Sequence, residues 1–174
     1  SANDVNPKAR SFMEGILRHL PALLAVTMPT INSFRRVAPG CWTGSSVQWA
    51  FDDKESPIRV VASLKTGLWN RFEYKLMDST ANPYLSMATI LSAGLEGIAS
   101  QSELRPLAGA VESTADRLPF SLSESLDMLE SDACIKSKIS PRLLRAFLAC
   151  RRAEVEHAKD RPLEAEVSEA IRLA

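Results

Sequence analysis

Apolar side chains recur every three or four residues near the start of the chain, at Phe12, Ile16 and Leu20. An N-cap at Asn6 and a proline at the first helical position, Pro7, precede them. Residues with this spacing lie on one side of an α-helix. The pattern therefore predicts a first helix with a single apolar stripe.

A proline at position 21 follows this stripe. Because proline suits the first turn of a helix better than its interior, we expect a break there and a second short helix over residues 22–26. Residues 27–39 contain two prolines, Pro29 and Pro39, and several polar residues, which favour an irregular loop with Arg35 and Arg36 inside it. Loops of this kind often carry binding sites.

Two short segments further along the chain alternate apolar residues with others. The alternation covers residues 47–51 and recurs over residues 58–60. The intervening Asp52, Asp53 and Lys54 are typical of a turn. We therefore expect the two segments to pair as an antiparallel hairpin.

A third strand is predicted over residues 69–77, where side chains alternate with period two. The apolar side chains share one face: Phe72, Tyr74 and Leu76. The charged side chains share the other face: Arg71, Glu73 and Lys75. In most strands such a charged face is simply solvated, with opposite charges as neighbours. A functional alternative is that Glu73 ligates a hard cation while the flanking cations hold phosphate.

Three more helices are predicted downstream. The first begins at the Asn82 cap, runs to about Ile98 and is apolar almost all round, which is typical of a buried helix. The others begin at the Ser121 and Ser140 caps. A polar connection over residues 101–119 separates the first two. These elements predict an α+β fold, helix-rich with a short antiparallel sheet.

Composition and charge narrow the classes of function. Apolar residues make up 45% of the 174 positions and charged residues 24%, which is ordinary for one globular domain. The net charge is zero, so nucleic acid is not the expected partner. No apolar run approaches the ~18 residues of a membrane span, so no membrane association is expected. Three widely spaced cysteines fit neither a disulfide framework nor a zinc site, and they indicate a reducing, cytoplasmic setting.

Several common catalytic arrangements find no support. The two histidines, His19 and His157, lie near predicted helix ends, where the helix dipole favours a cation. Neither is expected to be catalytic. The sequence contains no GxSxG and no GxxxxGK[ST] motif, so neither a triad hydrolase nor a P-loop enzyme is expected. The tryptophans are interpreted as packing residues, although Trp42 lies in the predicted loop.

Several short motifs occur in the order and spacing of the C-terminal part of glutamine synthetase. They are Asn32-Ser33-Phe34-Arg35-Arg36, Ala38-Pro39-Gly40, Pro57-Ile58-Arg59, Phe72-Glu73-Tyr74-Lys75 and Ala81-Asn82-Pro83-Tyr84-Leu85. The chain resembles that family from about residue 8 to about residue 157. Cys41-Trp42 and the run from Lys54 to Pro57 are most similar to the fluG-type branch of plants and fungi.

The resemblance implies ATP-dependent chemistry, in which a carboxylate is phosphorylated to an acyl phosphate that ammonia or an amine then attacks. It implies ATP and Mg²⁺ (or Mn²⁺) as cofactors, a small-molecule carboxylate and an amine as substrates, and a homo-oligomer. The implied roles are substrate carboxylate binding by Arg36, nucleotide contacts by Arg59, Arg71 and Lys54, metal binding by Glu73, and contact with the transferred phosphate or substrate by Lys75.

Three positions depart from the family pattern. Lys54 and Lys75 stand where the family usually has arginine, and a lysine keeps the charge but loses the bidentate fork. Trp42 stands where authentic glutamine synthetases carry a flap glutamate that shields the intermediate and helps to deprotonate ammonium. Tryptophan cannot accept a proton. A bulkier amine than ammonia, or no ligation, becomes the expectation, and Trp42 becomes a candidate substrate-binding residue.

The resemblance also implies that residues 1–174 are the C-terminal part of a catalytic domain. The small N-terminal β domain and the first half of the catalytic domain, with its other metal-binding glutamates, would precede Ser1. This chain alone is therefore expected to be inactive. The alternative to a ligase is a non-catalytic scaffold or regulatory protein. A third hypothesis is a truncated gene product that joins, or poisons, a ring assembly.

Overall fold

The computed structural model describes residues 6–62, 69–109 and 116–173. Six α-helices, one 3₁₀ helix and one three-stranded sheet are present in this part of the chain. Their bounds in chain order are α1 Pro7–Thr27, the 3₁₀ helix Asn32–Arg36, β1 Trp49–Phe51, β2 Ile58–Ala62, β3 Trp69–Tyr74, α2 Pro83–Ala99, α3 Leu122–Ser131, α4 Ala133–Lys138, α5 Pro141–Ala158 and α6 Leu163–Leu173. The prediction of a helix-rich α+β fold with a small sheet is confirmed.

Helix α1 begins as predicted, with the Asn6 side chain accepting the Lys8 backbone N–H at 2.9 Å. The predicted break at Pro21 is wrong, because α1 continues to Thr27. An interior proline costs about 3 kcal/mol. Each fully buried leucine contributes roughly 1.5–3 kcal/mol, and Leu20, Leu23 and Leu24 are all inaccessible to solvent. Burial of the helix around Pro21 thus outweighs the lost hydrogen bond.

Helices α1 and α2 cross at glycines. A Cβ atom on Gly97 would lie 2.7 Å from the Gly15 Cα atom and closer still to the Ser11 carbonyl oxygen. The two backbones therefore meet without intervening side chains. The face of α2 that packs against α1 consists of small buried residues, and the opposite face of α2 is open. The expectation that α2 is buried all round is wrong, since its exposed side chains include Tyr84, Met87, Leu91 and Leu95.

The strands form a mixed sheet in the order β1-β2-β3. The predicted antiparallel hairpin is wrong, because Trp49 pairs with Ile58 and Phe51 with Val60 in parallel. Strand β1 spans only three residues, about 10 Å. The six residues between β1 and β2 are therefore enough to return the chain to the end of the sheet where β1 begins, so that β2 can run parallel to β1. Strand β3 pairs with β2 in the antiparallel sense.

The two faces of β3 are as the alternation predicted. The Phe72 ring lies 6.1 Å from the Phe12 ring of α1, and the Tyr74 hydroxyl lies 3.0 Å from the Thr27 hydroxyl. Leu76, just after the strand, is fully buried. This apolar face seals the sheet onto α1 and leaves the charged side chains on the opposite face.

The described part of the connection after α2 makes several contacts with α1 and β1. The Arg105 guanidinium makes a bidentate contact with the buried Glu14 carboxylate, with 2.8 Å between Nη2 and Oε1 and 3.1 Å between Nε and Oε2. The Trp49 indole donates to the Arg105 carbonyl at 2.9 Å. Ser46 and Arg117 form an isolated bridge. This connection thereby holds β1 against α1.

The remaining predicted helix starts are confirmed. Ser121 caps α3 and Ser140 caps α5. Helix α6 is joined to the 3₁₀ helix by the Arg35–Glu166 ion pair at 2.6 Å. In the described part of the chain, no helix combines the length and apolarity that crossing a bilayer would need.

The expectation that His19 lies near a helix end is wrong. His19 lies within α1 and its side chain is buried. Its Nδ1 atom lies 2.6 Å from the Asp132 carboxylate, which also caps α4, and its Nε2 atom lies 3.4 Å from the Glu96 carboxylate of α2. The Asp132 hydrogen bond raises the pKa of His19 despite the opposing effect of burial. Burial would raise the pKa of Asp132, but hydrogen bonds from His19 and the Ile135 N–H lower it.

Substitution of His19 by asparagine will destabilise the protein in a pH-dependent manner. Because the pKa of His19 is raised, the stability that protonated His19 contributes is fully present below pH 6.5, its ordinary pKa. This stability is lost as the pH rises through the folded-state pKa. Because the pKa of Asp132 is lowered, the stability that ionised Asp132 contributes is fully present above pH 3.8, its ordinary pKa, and is lost on further acidification. The cost should therefore be about 1–3 kcal/mol near pH 5.5 and smaller near pH 8.5. Urea unfolding at both pH values measures it, and an equal cost at both would contradict the assignment.

Candidate functional site

Strands β2 and β3 bring two of the predicted site residues together. Arg59 and Glu73 are paired across the strands, and the Arg59 Nη2 atom lies 2.7 Å from the Glu73 Oε1 atom. Opposite charges on facing strand positions attract each other directly. Both side chains are partly buried, at 22% and 34% exposure. The pair is therefore a shielded ion pair rather than part of a fully solvated strand face.

Lys75 follows β3 and reaches the chain segment before β2. Its ammonium group donates to the carbonyl oxygens of Lys54 at 2.5 Å, Trp42 at 3.3 Å and Asp53 at 3.4 Å. Partial burial lowers the pKa of Lys75, the Arg59 cation lowers it further, and nearby carboxylates oppose the shift. Lys75 therefore binds two backbone segments within a charged environment.

The turn of residues 53–55 is held by Asp53. The Asp53 carboxylate accepts the Glu55 backbone N–H at 2.9 Å and the Ser56 hydroxyl at 2.8 Å. The Glu55 N–H lowers the pKa of Asp53, with further lowering by Ser56 and Lys75. These bonds keep Asp53 ionised and fix the position of the two residues that follow it.

The segment of residues 40–42, the Trp42 loop, lies against this turn. The Glu55 carboxylate accepts backbone N–H groups from Gly40 at 2.9 Å and from Trp42 at 3.1 Å. The Lys54 Nζ atom lies 4.3 Å from the centre of the Trp42 ring, a cation–π distance. The Trp42 side chain is 63% exposed, so its interpretation as a packing residue is wrong. Trp49 and Trp69 do pack, with ring centres 5.4 Å apart.

Arg36 and Arg71 lie on the elements that carry this group. Arg36 ends the 3₁₀ helix, and the Thr43 hydroxyl donates to its carbonyl oxygen, which ties it to the Trp42 loop. Arg71 is exposed on β3, two positions before Glu73. The contacts thus join Arg59 with Glu73 and join Lys75, Lys54 and Trp42 around the turn.

Sequence reasoning missed Asp53 and Glu55 as parts of the site. Their only sequence signal was the acidic character of a predicted turn beside two candidate cations. Backbone N–H acceptors cannot be identified from such a pattern, because the partner segment lies 13 to 15 residues away.

The metal-binding capacity of the described residues is small. They contain no group of three or more histidine, cysteine or acidic side chains arranged to hold a metal ion. Glu73 presents one partly exposed carboxylate with one oxygen bonded to Arg59. Mg²⁺ binds several oxygen ligands, and of the predicted site residues that the structure describes only Glu73 carries a carboxylate.

The sequence matches the family model described as the catalytic domain of glutamine synthetase over residues 1–170. The chain therefore belongs to the glutamine synthetase family, as the motifs predicted.

Similar curated proteins include two named synthetases and a protein named fluG. The gamma-glutamylpolyamine synthetase GlnA3 of Streptomyces coelicolor is 35% identical over 161 residues, covering 84% of this chain and 34% of that protein. The glutamine synthetase of Pyrococcus abyssi is 36% identical over 160 residues, covering 85% of this chain and 35% of that protein. Protein fluG of Emericella nidulans is 36% identical over 160 residues, covering 84% and 18%. The chain thus spans about a third or less of the length of these relatives.

Solved structures of this family superpose well on the chain. A GmaS/ADP complex has a TM-score of 0.79 at 29% identity, covering 97% of this chain and 40% of that one. A crystal structure of a novel glutamine synthase homolog has a TM-score of 0.79 at 30% identity, covering 92% and 37%. The arrangement of α1, the sheet and α2 is therefore that of the family.

Proposed function

We propose that the complete protein containing this chain is an ATP-dependent ligase that joins a carboxylic acid to an amine. The γ-phosphoryl group of ATP would pass to a substrate carboxylate oxygen, which gives an acyl phosphate and ADP. The amine nitrogen would then attack the acyl carbon, form an amide and release phosphate. The observation that carries this proposal is the shielded Arg59–Glu73 pair beside Lys75. These are the residue types that phosphoryl transfer uses for positioning and charge stabilisation.

Each candidate residue has a role in this proposal. Arg36 would bind the substrate carboxylate, Arg59, Arg71 and Lys54 would contact the nucleotide, and Lys75 would lie near the transferred phosphate or the substrate. Glu73 would supply one oxygen ligand to Mg²⁺ or Mn²⁺, and residues outside this chain, phosphates and water would supply the others. A bound divalent ion would offset the negative charge of the phosphates. The similar GmaS structure is a complex with ADP, which supports the nucleotide assignment.

The Trp42 loop supports an amine larger than ammonia as the nucleophile. The exposed indole face already accommodates one alkylammonium group, that of Lys54, at 4.3 Å. A substrate ammonium would be attracted to this exposed aromatic ring by the same kind of cation–π interaction. One similar protein is named a gamma-glutamylpolyamine synthetase. The complete protein would act as a homo-oligomer, as the family resemblance implies.

An amine screen tests this proposal. The complete protein is incubated with Mg-ATP, glutamate and either ammonium or one of a set of alkyl amines and diamines, and ADP release is recorded. We expect ADP release that requires both acid and amine and is faster with an organic amine than with ammonium. ADP release only with ammonium would contradict the choice of amine, and amide formation is verified by mass spectrometry.

A non-catalytic scaffold or regulatory protein is the second candidate. Its support is that the Lys75 ammonium is engaged by three backbone carbonyl oxygens, so it serves a structural purpose in this conformation. Titration calorimetry with Mg-ATP separates the two candidates. Tight binding followed by turnover removes the scaffold, whereas failure of the complete protein to bind Mg-ATP favours it.

A further inference from the structure

The backbone of Trp42 has a conformation that needs external support. Its φ angle is 61°, in the left-handed region that a non-glycine residue with a bulky side chain seldom adopts. Such a conformation persists only where the surrounding contacts hold it. The neighbouring Gly40 has φ 80°, which is cheap for glycine. The Trp42 loop therefore depends on the contacts that its backbone makes.

The Glu55 carboxylate is positioned to provide that support. One oxygen accepts the Gly40 N–H and the other accepts the Trp42 N–H, so a single side chain spans both left-handed residues. Hydrogen bonds to an ionised acceptor are roughly twice as strong as neutral ones. Glu55 is itself fixed, because its N–H donates to the Asp53 carboxylate.

The other groups of Trp42 are held by the same turn. The Trp42 carbonyl oxygen accepts from Lys75, which also binds the Lys54 and Asp53 carbonyl oxygens. The indole ring lies under the Lys54 ammonium. The N–H, the C=O and the ring of one exposed residue are thus all anchored to residues 53–55, directly or through Lys75. An exposed aromatic side chain held in this way is a preorganised surface, since little of its freedom remains to be lost on binding.

We infer that Glu55 is a positioning residue that fixes the Trp42 indole and thereby sets which amines the site accepts. This inference rests on the proposed ligase function. Glu55 acts through Trp42 and is not itself assigned a contact with substrate. Release of the loop would let the indole leave its fixed orientation, and discrimination between an organic ammonium and ammonium itself would weaken.

The test uses Glu55→Ala and Glu55→Gln in the complete protein. Each is made with and without Trp42→Phe, so that the difference isolates Trp42 fluorescence. Time-resolved anisotropy reports the local motion of the indole, and kcat/KM is measured for the preferred amine and for ammonium. The control is Glu103→Ala, an exposed glutamate on the connection after α2. Glutamine retains one acceptor oxygen and therefore one of the two backbone bonds.

We expect Glu55→Ala to add a fast depolarisation component for Trp42. The ratio of kcat/KM for organic amine over ammonium should fall about tenfold, the loss expected for charge-assisted hydrogen bonds. Glu55→Gln should give an intermediate change, and Glu103→Ala should match the parent. If Glu55→Ala does not fold, Glu55→Gln carries the same test.

Unchanged Trp42 anisotropy in the folded Glu55 variants would overturn the inference, as would an unchanged amine ratio. A protein that ligates no amine, but whose Trp42 is freed by Glu55→Ala, would refute the proposed function and the specificity role while supporting the structural anchoring. The anisotropy and the ligation assay thus fail independently.

Discussion

Replacement of Glu73 by glutamine in the complete protein will reduce ATP-dependent ligation by at least about 10³-fold, because a neutral amide replaces the carboxylate proposed to bind the divalent ion. The substitution keeps the side-chain volume and leaves the Glu73 position opposite Arg59 in the β2–β3 register. Steady-state ADP release measures the activity, and electron paramagnetic resonance of added Mn²⁺ measures metal binding. Both should decrease together.

The control for this experiment is Glu103→Gln, which removes the charge of an exposed glutamate on the connection after α2. It should leave both readouts at the parent level. Retained turnover in Glu73→Gln would eliminate the metal role of Glu73. Loss of turnover with unchanged Mn²⁺ binding would instead assign Glu73 to holding Arg59 in place, since the two side chains lie 2.7 Å apart.

Substitution of Gly97 by valine will lower the free energy of unfolding by about 3 kcal/mol or more, because the new side chain must force α1 and α2 apart. The Cβ atom alone would lie 2.7 Å from both the Gly15 Cα and N atoms and closer to the Ser11 carbonyl oxygen. These obstructing atoms belong to the backbone of α1, which cannot rotate away as a flexible side chain would. Urea unfolding followed by circular dichroism measures the loss.

The matched control is Ala88→Val on the exposed side of the same helix. It introduces the same β-branched residue at an open position, so only the helix propensity cost of about 0.5 kcal/mol is expected. Similar losses for the two variants would show that propensity, rather than close helix approach, accounts for the effect. A Gly97→Val variant that is as stable as the parent would contradict the crossing geometry.

The parts of the fold that local chemistry controls were predictable from the sequence. Helix caps at Asn6, Asn82, Ser121 and Ser140 depend on a side-chain oxygen that satisfies nearby N–H groups, so adjacent residues suffice to identify them. The apolar face of β3 follows from its period-two alternation. Features that depend on distant residues were predicted incorrectly.

Strand pairing and helix continuity were such features. Nothing in residues 47–60 distinguishes parallel from antiparallel pairing, and a turn-like segment favours the hairpin. The chain adopts the parallel arrangement, in which Trp49 donates to Arg105, 56 residues away. Similarly, the sequence around Pro21 favours a break. Only the burial of α1 against α2 and α3 supplies enough free energy to keep the helix intact.

In the candidate site, too, the identities of the residues could be predicted from the sequence, whereas their contacts could not. The residue types and motifs indicated Arg36, Arg59, Arg71, Glu73, Lys54, Lys75 and Trp42, because charged groups in a family pattern are readable one position at a time. Their partners were not readable. That Glu73 pairs with Arg59 depends on strand register, and that Lys75 binds backbone carbonyl oxygens depends on where the turn of residues 53–55 lies.

The sequence by itself determined the family of this protein, its helix starts and the chemical character of its site. The tertiary structure alone decided that Trp42 is exposed, that Glu55 holds its backbone and that α2 presents an open apolar face. The physical reason is the distance along the sequence between the groups that interact. Caps and periodicity act within one turn or a few residues, whereas burial and hydrogen bonding between distant segments exist only once the chain has folded.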